Sequence, residues 1–159
     1  MKRTFSLLVM AMLFAVTANA QFEKGKYYMG ASISGLSLSY SGEEKTNFGL
    51  EAKGGYLFDD EWMITAQVGY DKKHYSASYL KVGVGARYYL VKNGLYFGFG
   101  AHYIHSGHTY DDFMPGVQVG YAFFISHTVT IEPEIYYDQS FKDGDYSTVG
   151  LRIGFGIYL

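Results

Sequence analysis

Leu151-Arg152-Ile153-Gly154-Phe155-Gly156-Ile157-Tyr158-Leu159 carries a large apolar side chain at every second position. A strand sends alternate side chains to opposite faces, so this stretch has one apolar face and one face of polar or small residues. The same alternation recurs along the chain. Near 46–58, Phe48, Leu50, Ala52, Gly54, Tyr56 and Phe58 oppose Gly49, Glu51, Lys53 and Gly55. Near 78–90, Leu80, Val82, Val84, Ala86, Tyr88 and Leu90 oppose Lys81, Gly83, Gly85, Arg87 and Tyr89. Near 128–139, Val129, Ile131, Pro133, Ile135 and Tyr137 oppose Thr130, Glu132, Glu134 and Tyr136. One such strand suits a soluble sheet as well. A whole chain of them reads as a transmembrane β-barrel whose outside faces lipid.

Period two predicts eight strands, near 26–40, 46–58, 62–71, 78–90, 95–105, 113–125, 128–139 and 147–159. Each meets or nearly meets the roughly 9–11 residues that a tilted strand needs to cross a bilayer. The first loses its apolar parity between Ile33 and Leu36, which predicts a bulge near Ser34-Gly35. Three connections are tight: Phe58-Asp59-Asp60-Glu61-Trp62, Val91-Lys92-Asn93-Gly94 and Ile125-Ser126-His127-Thr128. Asn93-Gly94 is the strongest hairpin signal, because both turn positions favour positive φ. Four others, near 41–46, 72–77, 106–112 and 140–146, are longer and polar. Even strand number and alternating turn length support each other. Gly55-Tyr56, Arg87-Tyr88 and Gly120-Tyr121 recur 32 and 33 residues apart, about one hairpin per repeat, as in any regular meander.

Residues 1–20 have the three parts of a secretory signal: Lys2 and Arg3, an apolar run over 5–16, and Ala18-Asn19-Ala20 for cleavage. The run is too short for a membrane-spanning helix, which needs about 20 residues. The mature domain is therefore expected to be 21–159. Removing the signal takes net charge from −2 to −4, with 11 basic and 15 acidic residues left, a balance that points away from nucleic acid. With no cysteine there is neither disulfide nor thiolate-bound metal nor lipoprotein anchor. Tyr 17, Phe 12 and Gly 20 against Pro 2 suit curved strands with aromatic girdles, not a disordered chain.

At this point the chain resembles the small eight-stranded outer-membrane barrels of the OmpA/OmpX type, most closely their Bacteroidetes relatives. The segments carrying the likeness are Gly54-Gly55-Tyr56-Leu57-Phe58-Asp59-Asp60-Glu61-Trp62, Val82-Gly83-Val84-Gly85-Ala86-Arg87-Tyr88-Tyr89, Pro115-Gly116-Val117-Gln118-Val119-Gly120-Tyr121 and the terminal strand. They are barrel motifs and not active-site motifs. Members often end in Phe, whereas this chain ends Tyr158-Leu159. The resemblance implies an all-β, antiparallel, up-and-down transmembrane barrel in the cell outer membrane. It also implies outer-membrane lipid and lipopolysaccharide as surroundings, and assembly machinery that reads the C-terminal strand.

The inward positions hold Glu51, Lys53, Lys81, Arg87, Glu132, Glu134 and Arg152, four cations against three carboxylates, with Gln67, His102 and Gln118. Side chains just fill an eight-stranded barrel. Buried charges must pair, so a closed salt-bridge network is expected. The alternative is a narrow charged pore, with the inward glycines leaving space for water. Outward aromatics divide into two girdles: Tyr56, Phe58, Trp62, Tyr88, Tyr121 and Phe123 near the tight turns, and Tyr40, Phe48, Tyr70, Tyr103, Phe113 and Tyr137 near the long loops.

Chemistry is sparse. His105, His108, Asp111 and Asp112, with His102 nearby, are the usual ligand types for zinc or copper, but the spacing fits no established motif. His102 and His105 should point to opposite faces. His105-Ser106 and His74 with Ser76 and Ser78 lack the geometry of a nucleophilic dyad. No catalytic residue, cofactor or metal is assigned. Lys72 and Lys73 are the paired basic residues of the loops, a candidate contact for lipid phosphate. The reading is a structural or surface-interaction barrel with a closed polar lumen. A narrow channel and a lipid-modifying enzyme remain the alternatives.

Overall fold

The computed structural model describes residues 22–39, 44–45, 48–72, 79–90, 94–106, 110–142 and 147–159. Expectations for the signal at 1–20 and the mature start at 21 fall outside these residues. So do those for Tyr40, Asn93, Lys73, His74, Ser76, Ser78 and His108, and for the side chains of Phe48, Lys72 and Ser106.

Eight long strands make the wall: β1 Tyr27–Ser39, β2 Phe48–Asp59, β3 Trp62–Lys72, β4 Tyr79–Tyr89, β5 Leu95–Ser106, β6 Tyr110–Tyr121, β7 Val129–Asp138 and β8 Thr148–Tyr158. Each is antiparallel to its sequence neighbours. β8 pairs with both β7 and β1, so the sheet closes on itself. Closure matters because no open edge can persist in hydrocarbon. At the join, Tyr27 N–H donates to Leu159 O at 2.9 Å and Leu159 N–H to Tyr27 O at 2.8 Å. The first strand bulges where expected, its register against β8 shifting between Ser34 and Leu36.

The sixth strand differs from its expected span of 113–125. β6 begins at Tyr110, because the ladder with β5 runs on to Ser106 opposite Tyr110 through polar residues. Backbone pairing needs no apolar side chain there. β6 ends at Tyr121, and Phe123–Phe124 forms a separate short strand on β7. Between them Ala122 N–H turns away to Gly94 O at 2.8 Å, while Pro133 has no N–H to offer.

Burial is inside-out relative to a soluble protein. On β8, Leu151, Ile153, Phe155 and Ile157 are 43–55% exposed, whereas Arg152 is 5% exposed. Apolar outside and charged inside is the arrangement that a lipid solvent selects. Near the tight turns the outward rings touch, Phe58 with Trp62, Trp62 with Tyr88, and Tyr121 with Phe123. Near the long loops Phe113 stacks with Phe141.

Candidate functional site

The lumen is the site that this fold builds. Glu51 and Lys53 on β2, Lys81 and Arg87 on β4, Glu132 and Glu134 on β7, and Arg152 on β8 are all inward and buried. Within each strand they occupy positions of one parity, which puts them on one face.

Arg87 crosses from β4 to β7, with Nη1 at 2.8 Å from Glu132 Oε2 and Nη2 at 3.1 Å from Glu134 Oε2. Arg152 Nη1 is 3.0 Å from Glu51 Oε1 and 2.9 Å from Glu134 Oε1. Lys53 Nζ is held more loosely, 3.5 Å from Glu51 and 3.9 Å from Glu134. Neutral donors complete the carboxylates. Glu132 accepts from Tyr28 OH, Thr130 Oγ1 and Tyr158 OH at 2.9, 2.9 and 3.1 Å. Glu134 accepts from Tyr96 OH at 2.9 Å. With its amide nitrogen toward Glu134 Oε1, Gln118 also receives Arg87 Nε at 3.1 Å. The guanidinium carbons of Arg87 and Arg152 lie 4.3 Å from the ring centres of Tyr96 and Tyr136. Such saturation is what keeps buried ions tolerable.

Toward the long loops stands a second group. Lys81 Nζ donates to Asp138 Oδ2 at 2.9 Å, His102 Nε2 is 3.4 Å from Asp138 Oδ1, and Gln67 Nε2 is 2.6 Å from His102 Nδ1. Asp138 was missing from the sequence tally of three carboxylates. It continues the parity of Glu132, Glu134 and Tyr136, and that signal would have found it. With it, four cations face four carboxylates in the two groups.

Toward the tight turns the lumen is apolar. Tyr28, Leu57, Met63, Tyr89, Tyr96 and Tyr158 converge there, and Phe22 closes the mouth from the segment before β1. The Phe22 ring stacks on Tyr89 at 4.1 Å and meets Tyr158 and Phe124 edge-on at 5.5 Å. Its carbonyl accepts from Glu61 N–H at 3.1 Å, and Gly25 N–H donates to Leu57 O at 2.8 Å with φ +93°. Glu61 itself has φ +71°, and its carbonyl also accepts from Tyr89 N–H at 2.8 Å, so the turn is fastened on both sides. Nothing in the sequence reading anticipated this plug.

Four inward glycines are sockets for tyrosine rings. A Cβ on Gly120 would collide with the Tyr96 ring, one on Gly150 with Tyr136, and one on Gly30 or Gly156 with Tyr28. At these positions the missing side chain makes room for a neighbour's ring instead of leaving a channel.

The candidate metal ligands separate. His105 Nδ1 lies 2.7 Å from Asp111 Oδ1 on the exposed outer rim. His102 is inside with Gln67, and Asp112 is buried and accepts from Ser140 Oγ at 2.6 Å. Among the described residues, no three His, Asp or Glu side chains converge to hold a metal ion.

The family model described as the outer membrane protein beta-barrel domain matches residues 6–158. Among solved structures, Neisserial surface protein A is 14% identical with a TM-score of 0.62, over 84% of this chain and 97% of that one. The N-terminal β-barrel domain of OprF from Pseudomonas aeruginosa is 11% identical with a TM-score of 0.66, over 86% and 98%. Ail, the attachment invasion locus protein of Yersinia pestis, is 13% identical with a TM-score of 0.56, over 86% and 99%. At such identities the likeness is one of fold. No curated protein matches the chain.

Proposed function

The chain belongs to the outer membrane protein β-barrel domain family and resides in the cell outer membrane, and on that premise we propose that its lumen is shut and its work lies at its surface. It supports the envelope or presents its loop end to host molecules or neighbouring proteins, without a catalytic site. The observation carrying this reading is the Arg87–Glu132–Glu134–Arg152–Glu51 chain of contacts at 2.8–3.1 Å, spanning the lumen above an aromatic plug. A solute would have to break several buried ion pairs at once, each stabilised by a low-dielectric setting. Ail, named for attachment and invasion, offers a precedent on the same fold for a surface role.

The remaining assignments follow from this reading. Residues 1–20 act as a cleavable signal and 21–159 form the barrel domain. Outer-membrane lipid and lipopolysaccharide surround it, and the assembly machinery reads β8. Proteoliposomes carrying the refolded protein and loaded with potassium and a small fluorescent anion test the shut lumen. Retention of both ions matches protein-free liposomes if the reading holds, and rapid loss of either rejects it. Unchanged lipid A masses in cells with and without the protein are expected for a non-enzyme. A new acylation pattern would revive the lipid-modifying alternative.

A further inference from the structure

Gly154, like Gly69, departs from the socket pattern. At Gly154 no ring lies over the backbone: a Cβ there meets Ser32 Cβ at 3.5 Å and the backbone oxygens of Ala31 and Glu132 at 3.6 Å, all ordinary contacts. Ser32 stands directly opposite across the β1–β8 ladder and is 8% exposed. Among the described residues, its Oγ is the buried side-chain polar atom left without a hydrogen-bond partner. Ser32 and Gly154 line a cavity with Tyr28, Lys53, Glu134 and Arg152 among its other walls. The cavity has room for about one water molecule. Lys53 lines the same cavity, and its Nζ has its carboxylates at 3.5 and 3.9 Å, whereas the arginine contacts of the network run from 2.8 to 3.1 Å.

Apolar cavities stay dry, but a polar one with several partners holds water. A hydroxyl buried without a partner has lost its hydration and gained nothing in return. The walls also select the occupant. Glu132 and Glu134 disfavour an anion, while Lys53, Arg87 and Arg152 disfavour a cation. A neutral dipole that both donates and accepts suits each of them.

We propose that a single buried water molecule roofs Gly154 as a tyrosine roofs Gly120 and Gly150, and joins Ser32 Oγ to Lys53 Nζ. It accepts from the Lys53 ammonium and shares a hydrogen bond with the Ser32 hydroxyl, tying the loosest cation of the network to the β1 wall. The site rests on the shut lumen, since an open one would exchange its solvent freely.

A high-resolution crystal structure of the refolded protein tests this, with Gly154→Ala beside it. One isolated water peak within hydrogen-bond distance of both Ser32 Oγ and Lys53 Nζ is expected, and its absence in Gly154→Ala, where the methyl takes its place. An empty cavity in a barrel that retains ions overturns the water alone. Anomalous signal there after a bromide soak makes the site an anion site and overturns it too. A continuous file of waters along the lumen instead overturns the shut lumen. Unfolding gives a second reading. Ser32→Ala and Gly154→Ala remove the same water, so their midpoint shifts should not add, and additive shifts contradict the proposal.

Discussion

The tight-turn end and the middle of the lumen are both filled, but by different physics. At the turn end, Phe22, Tyr89 and Tyr158 fill space by ring contact, and each ring contributes through the area it covers. In the middle, Arg87, Glu132, Glu134 and Arg152 fill space with charge, and each group is worth having only while its partners remain. The plug should therefore lose stability in proportion to what is removed. The network should respond to imbalance, so losing one partner costs more than losing both.

Arg87→Ala is the most severe single test of that contrast. It strips the guanidinium from Glu132 and Glu134 at once, and a loss of about 4 kcal/mol is expected for a buried pair broken on one side. Urea unfolding in detergent or bilayer measures it, and an unchanged midpoint would mean that the network carries no load there. Phe22→Ala should cost about 3 kcal/mol, the low end for a core phenylalanine, because the residue lies outside the strand ladder in the segment before β1. It should also open the plug tyrosines to an aqueous quencher while leaving the ion pairs in place.

Gly120→Ala and Gly150→Ala push a methyl into the rings of Tyr96 and Tyr136, with an expected loss of roughly 2 kcal/mol each from overpacking. Full tolerance would show that these sockets have slack. The Lys81–Asp138 pair separates the two physics most cleanly. Lys81→Met alone should destabilise strongly, but combined with Asp138→Leu the barrel should return to within about 1 kcal/mol of the parent. If the double variant is worse than the single, pairing is not what sets the cost. His105→Ala, which touches only the exposed pair with Asp111, should leave the midpoint where it was.

The charged middle was far more legible in the sequence than the plug. Period two sorted Glu51, Lys53, Arg87 and Arg152 onto the inner face, because strand geometry alone decides which side a residue faces. The bulge at Ser34–Leu36 was visible for the same reason, as a break in parity. Partner choice was not visible. Arg87 meets Glu132 and Glu134 across the lumen, a relation set by barrel closure and stagger and by no local spacing. Phe22 precedes the first periodic segment, so nothing marked it as a plug until the chain folded back under Glu61 and Leu57. The glycines divide: rings of Tyr96, Tyr136 and Tyr28 occupy the space over Gly120, Gly150 and Gly156, whereas none lies over Gly154, and no local spacing distinguishes the two cases.

The central claim is that charge and rings together close the lumen. Single-channel recording of the refolded barrel in a planar bilayer tests it most directly, with insertion verified independently. The account predicts silence across many insertions under applied voltage. Reproducible small conductance steps would contradict it and would make Lys53, Arg87 and Arg152 the walls of a pore.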